Sequence, residues 1–281
     1  MSSSFSSYPL RGVFVASLLA LVSLTAAASA QAAPLPTLTL TITKSSITVA
    51  GATQSGGVNV VSTATGVKEA SVILFLLKPG ATFDEVEAAI QKAHGDTNVT
   101  GKYGSIVFNA EVTPGHSSEA QTYLQPGQYV AVLPGGEGKG SKAHALFTVT
   151  ASASPVALPA PQATIRSIEF GFRGPSTLHD GELVRFENEG FLVHMDVAAP
   201  VKNMKAARQA VKDLLAGKEK ALEKLFSGPP AGFAGPLSHE AFQQETITAK
   251  PGIYVEICFM DTQDRRSHSL LGMERIIKIV K

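Results

Sequence analysis

Apolar and polar positions alternate in two stretches of the chain that open alike. Leu38, Leu40 and Ile42 lead to Ile47 and Val49, and further on Ile165, Ile168, Phe170 and Phe172 repeat the start. Such alternation predicts half-buried strands. Each stretch continues through Gly57-Val58-Asn59-Val60 or Gly181-Glu182-Leu183-Val184 and turns at Gly66 or Gly190. A helical patch is then expected near Pro79 or Pro200. In the second stretch Met204, Ala207, Val211, Leu214 and Leu215, then Leu222, Leu225 and Phe226, recur at helical spacing, with Gly217 as a break. The opposite face is basic and reads as a solvated surface. Last come Pro126-Gly127-Gln128-Tyr129-Val130 or Pro251-Gly252-Ile253-Tyr254-Val255 and a closing apolar strand. From Pro79 to Tyr129 is 50 positions, and from Pro200 to Tyr254 is 54. Shared order and spacing predict a mainly β chain of two tandem Greek-key β-sandwiches, each with a short helical insertion. The uncharged, proline-bearing stretch 151–162 reads as a linker, so domains are expected over 35–150 and 163–281.

The segment ahead of these patterns has a different character. Arg11 is followed by the apolar run from Val13 to Val22 and then by Ala28-Ser29-Ala30, the pattern of a signal peptide over 1–30. Export, periplasmic or extracellular, is the expectation, with no membrane span after cleavage. The whole chain has 281 residues, with 24 Lys+Arg against 23 Asp+Glu. That balance gives no electrostatic reason to expect nucleic acid or a polyanion as partner. Gly135 to Gly140 is Gly-rich but lacks phosphate-loop spacing, and no Gly-x-Ser-x-Gly or His-Glu-x-x-His motif occurs.

One cysteine stands in the chain. A lone thiol in an exported protein cannot close an internal disulfide, so Cys258 is buried, paired between chains or bound to metal. Its surroundings favour metal. It ends the strand Tyr254-Val255-Glu256-Ile257-Cys258, and His268-Ser269-Leu270-Leu271-Gly272-Met273 leads into the last strand; upstream, Asn188-Glu189-Gly190 precedes His194. Pro-Gly-x-Tyr, then Cys, then His-x-x-x-Gly-Met before a terminal strand, with an earlier His after an Asn-containing turn, resembles the cupredoxin or blue-copper family. The resemblance covers residues 163 to 281 best. It implies two cupredoxin-like sandwiches and one copper ion in the second, with His194, Cys258 and His268 as strong ligands and Met273 as a weak axial one. Such a set suits both copper oxidation states. The first sandwich would be a degenerate copy: Leu133 stands where the repeat places Cys258, and no His lies near Ala70.

Two features of this sequence set geometric conditions. Nine residues, Phe259 to Ser267, separate Cys258 from His268, so this loop must fold back. Alternation places Phe191, Val193, Met195 and Val197 on one face and Leu192, His194 and Asp196 on the other, so His194 reaches a site only if its face is inward or a bulge intervenes. Glu256 is in phase with Cys258. His94, His116, His144, His179 and His239 are expected in solvated loops, and Met195 and Met260 as core filler. Multicopper oxidases use His-x-His pairs, and none of the seven histidines has such a partner; copper nitrite reductases need a second His-ligated centre with no signature here. The expectation is an electron carrier or copper-handling protein, with a redox or copper-exchange protein as partner, and the alternative is a metal-free structural or protein-binding sandwich.

Overall fold

The computed structural model describes residues 34–67, 70–113, 115–135, 141 and 143–281, so the signal-peptide reading and most of the Gly-rich stretch lie outside the described residues. Strands in the first half are β1 (Thr37–Ile42), β2 (Ile47–Gly51), β3 (Gly56–Ala64) and β4 (Ala70–Leu77); helix α1 (Phe83–Lys92) and a 3-10 helix, Thr97–Lys102, follow. Then come β5 (Gly104–Val112), β6 (Ser118–Leu124), β7 (Gly127–Leu133) and β8 (Ala143–Val149). The second half holds β9 (Ala163–Ile168), β10 (Gly171–Arg173), β11 (Thr177–His179), β12 (Leu183–Asn188), β13 (His194–Val201), α2 (Met204–Leu215), α3 (Glu219–Leu222), β14 (Ala231–Leu237), β15 (Phe242–Thr246), β16 (Gly252–Ile257) and β17 (Glu274–Val280).

The same pairing plan runs through both halves. Strands β2-β1-β3-β6 face β5-β4-β7-β8, and β10-β9-β12-β15 face β14-β13-β16-β17-β11. The pairs β1/β3 and β9/β12 are parallel, β3/β6 and β12/β15 antiparallel, and in each half the helical insertion joins the fourth and fifth strands of the plan. The protein is thus mainly β, built of cupredoxin-like β-sandwiches. Period-2 patterning explains the layers: Leu38, Leu40 and Ile42 are fully buried while Thr37 and Thr41 face solvent. The Pro-Gly-x-Tyr motif has a mechanical reason in both copies. Tyr129 Oη donates to the carbonyl of Gln125 at 3.0 Å and Tyr254 Oη to that of Lys250 at 2.7 Å, each reaching back four residues to lock the entry of the strand that follows.

Both helices begin later than their prolines suggest. Thr82 caps α1 in a reciprocal box with Glu85, and Asn203 caps α2 by accepting from the Ala206 N–H at 3.0 Å. Pro200 itself lies in β13. Gly217, at φ 66°, stops α2 in the left-handed conformation that glycine tolerates best, as its position implied. Phe170 departs from the strand reading: it sits at φ 58° in the turn between β9 and β10, because the hairpin reverses there. His144 and His179 lie in β8 and β11 rather than in loops.

The halves meet along one sheet. Strand β15 pairs with β6 through Gln244 and Gln121, producing eight strands in series. Gln244 is fully buried and all its polar capacity is used: Oε1 accepts from Arg185 Nε and Nη2, and Nε2 donates to Gln121 Oε1 and to the Pro159 carbonyl. Residues 151–162 pass the start of β3, with the Gly57 N–H donating to the Val156 carbonyl at 2.7 Å, and reach β12, where the Gln162 N–H donates to the Leu183 carbonyl. A second close approach is that of Gly235 in β14 to Asn109 in β5, where a Cβ on Gly235 would stand 1.8 Å from Asn109 Oδ1.

Candidate metal centre

Register positions the predicted residues. Pro200 pairs with Tyr254 as Leu76 pairs with Tyr129, which makes Ala70 the counterpart of His194 and Leu133 that of Cys258. His194 is the first residue of β13, and its face, shared with Asp196 and Ala198, is the buried one; a register irregularity against β14 also falls at His194 and Asp196. Both conditions for an inward His194 are therefore met. Cys258 follows β16 directly, with its N–H donating to the Met273 carbonyl at 3.1 Å, while the Met273 N–H donates to the His268 carbonyl at 3.0 Å. Met273 is completely buried, and its backbone bonds tie it to Cys258 and His268.

His194 Nδ1 lies 3.1 Å from His268 Nδ1, and Cys258 Sγ lies 3.4 Å from His268 Nδ1 and 3.9 Å from His194 Nδ1. Among the described residues this is the group of His, Cys and acidic side chains whose donor atoms converge closely enough for one ion. Donors about 2.0–2.3 Å from one centre span such separations at angles of about 100–125°. The donor set, two imidazoles and a sulfur without a carboxylate, fits a borderline-soft transition metal and not calcium or magnesium.

The long loop folds back as a closed excursion. The His268 N–H donates to the Met260 carbonyl at 2.7 Å, Asp261 bridges Ser267, and Thr262 and Arg266 exchange hydrogen bonds above. The neck at Met260 and His268 brings the two ends together, and the 3-10 helix His268–Leu271 carries the chain to Gly272, at φ 99°, and Met273. Sulfur is supported as well: the Met195 N–H points at Cys258 Sγ from 3.4 Å.

Burial governs the electrostatics. It pulls His194 down to about 4, helped by the neighbouring His268 and opposed by Glu169, and it pulls His268 down to about 4 as well. Both imidazoles are neutral at neutral pH and each can offer a lone pair. Burial pushes the Cys258 thiol up to about 12, so without a cation the sulfur keeps its proton. Beneath lie Asp196 and Glu256, both buried; Glu256 pairs with Arg275, and Asp196 is raised well above the usual carboxylate range by burial and then by Glu256.

Four residues support the site without a metal-site motif that points to them. Glu169 Oε1 stands 3.7 Å from His194 Nε2 and accepts from the Phe191 and Leu192 N–H groups, holding the approach to β13. Gly190 allows that approach, since a Cβ there would lie 2.6 Å from His194 Nε2. Phe170 sets its ring edge-on to His268 at 5.3 Å between centroids. Asn98, from the first half, accepts from the Val193 N–H at 2.8 Å and donates to the Asp261 carbonyl at 3.0 Å, so it ties the His194 approach to the Cys258–His268 loop. Only contact across the halves reveals it.

No family model and no curated protein matches the chain. Solved structures with some likeness include reduced auracyanin from the photosynthetic bacterium Roseiflexus castenholzii, at 17% identity over 42% of this chain and 95% of that one, with a TM-score of 0.26. A copper-containing nitrite reductase from Thermus scotoductus shares 13% over 87% of this chain and 68% of its own, with a TM-score of 0.25. A multicopper oxidase from the hyperthermophile Aquifex aeolicus shares 10% over 86% and 65%, with a TM-score of 0.27. At scores this low, the fold assignment rests on the strand pairing given above. No described helix is long and apolar enough to cross a membrane.

Proposed function

We propose that the chain is an exported copper-binding cupredoxin-like protein that holds one ion in its second domain, over 163–281, and serves as a one-electron carrier. The observation that carries this reading is the convergence of His194 Nδ1, His268 Nδ1 and Cys258 Sγ within 3.1 to 3.9 Å in a dry pocket. Met273 is the weak axial donor in this scheme. Copper held by a thiolate and two imidazoles supplies a one-electron couple whose two states accept the same donors. The chain's own part is to keep that geometry fixed. The pinned neck of the Phe259 to Ser267 loop supports a carrier over a copper-delivery protein, because delivery needs a ligand that can swing away. The domain over 35–150, a degenerate copy of the same sandwich, holds no ion and buttresses the site through Asn98. Its partner is a redox protein.

Metal analysis and the visible spectrum after cupric addition test the reading. One copper per chain with an intense thiolate-to-copper band is expected, lost in Cys258→Ser and kept, with a shifted reduction potential, in Met273→Leu. A colourless, copper-free chain refutes it. Rapid loss of Cu(I) to a modest chelator on reduction refutes the carrier role alone.

A further inference from the structure

Where the first half meets the Cys258–His268 loop there is a cavity of about 400 Å³. Helix α1 turns Phe83, Val86 and Ile90 into it, and the sheet behind contributes Phe75 and Ile106. The loop closes the far wall with Phe259 and Met260. Phe83 is nearly buried, whereas Phe259 stays 39% exposed at the edge of the opening. A volume of this size, lined by aromatic and aliphatic side chains with polar groups at its margin, is what small-molecule sites share.

The margin narrows the chemistry. Glu87, Asp96 and Asp261 stand there against the single guanidinium of Arg265, which disfavours an anion. Two of those carboxylates are already engaged: Glu87 Oε1 accepts from the Ser141 N–H at 2.6 Å, and Asp96 Oδ1 accepts from both the Asn98 N–H and its side-chain amide at 2.8 Å. The chain itself thus orients these two carboxylates, and the apolar lining from Phe75, Phe83, Ile90, Phe259 and Met260 favours an uncharged ligand. Three phenyl rings, Phe75, Phe83 and Phe259, offer faces and edges to a flat partner, and Met260 adds a polarisable thioether that packs against aromatic edges.

We infer that this cavity is a binding site for a small neutral aromatic molecule. The inference does not rest on copper, because the wall at Phe259 and Met260 belongs to the chain whether or not an ion is held.

Titration of the full-length, metal-free protein with N-phenyl-1-naphthylamine, a neutral fluorescent probe, tests it. Saturable one-to-one enhancement is expected. Ile90→Trp, which fills the cavity, weakens binding at least tenfold, and Gln91→Trp at the mouth is the gentler variant with the same direction. The native chain has no Trp, so the emission of the introduced ring reports whether each variant folds with that ring in place. Phe191→Ser removes a ring that is 82% exposed elsewhere and leaves binding unchanged. Absence of saturable binding, binding that survives both Trp variants, or loss in Phe191→Ser overturns the proposal. Sedimentation showing a dimer that Ile90→Trp dissociates also overturns it, by giving the cavity to a second copy.

Discussion

At the scale of single residues, protonation is the quantity that burial controls. With the Cys258 thiol near 12 and both imidazoles near 4, one proton, from sulfur, must leave for each metal ion taken up across the neutral range. Calorimetry in buffers of different ionisation enthalpy is expected to return one proton per ion; two would mean a charged histidine. The same depression fixes a sign for the metal-free protein. A histidine whose folded pKa lies below its ordinary 6.5 contributes stability that is complete above that value and is lost as pH falls through about 4. Denaturation midpoints are expected to drop across that window. Asp196 works the other way: its raised pKa contributes below the ordinary carboxylate value of 3.8 and costs stability as pH rises. Asp196→Asn, neutral at every pH, should therefore stabilise the metal-free chain at pH 7, on the order of 1 kcal/mol or more, with the gain vanishing in acid. The meeting of Cys258 with the two histidines was legible in the sequence because their residue types and order carry chemistry. Glu169, Phe170 and Asn98 were not, since an acid, a ring and an amide in loops are ordinary until a fold brings them beside an imidazole.

At the scale of elements, the loop and its clamp decide how firmly the donors are held. Asn98 joins two segments that lie far apart in sequence, and its removal frees a buried-side N–H at Val193 and the carbonyl of Asp261. Asn98→Ala is expected to leave the sandwiches folded at a cost of about 1–3 kcal/mol while changing the position of the visible band and speeding metal loss to a chelator. An unchanged spectrum and release rate would reduce Asn98 to a structural contact. Strand and helix identities were readable because each carries its own periodicity: alternate burial in β1, and the buried stripe through Ala207 and Leu214 on α2, although Leu215, read into the same stripe, is exposed. Helix starts were misjudged by a few residues because the caps, Thr82 and Asn203, and not the prolines, end the preceding extended chain. The back-folded loop was anticipated as a necessity, yet its neck was not, since a hydrogen bond from the His268 N–H to the Met260 carbonyl has no signature in side chains.

At the scale of the whole molecule, the repeated plan was visible in order and spacing, whereas the single sheet running through both halves was not: a pairing of Gln244 with Gln121 leaves no periodic mark. That seam makes a prediction. Gln244→Ala strips partners from Arg185, Gln121 and Pro159 together, and is expected to destabilise by about 2–4 kcal/mol and to split a single calorimetric unfolding transition into two. A lone, merely shifted transition would show the halves coupled by other means. The tight meeting of β14 and β5 has a consequence best put in genetic terms. With no room for a methyl group at residue 235, Gly235→Ala is a lesion in one half that acts by pushing on the other, costing about 1–3 kcal/mol and giving a temperature-sensitive chain. Because Asn109 Cβ as well as its amide lies in the way, at 2.6 Å, Ala at 109 would not relieve it, but Asn109→Gly would. The suppressor of a fault in the half that carries His194, Cys258 and His268 thus maps to the other half.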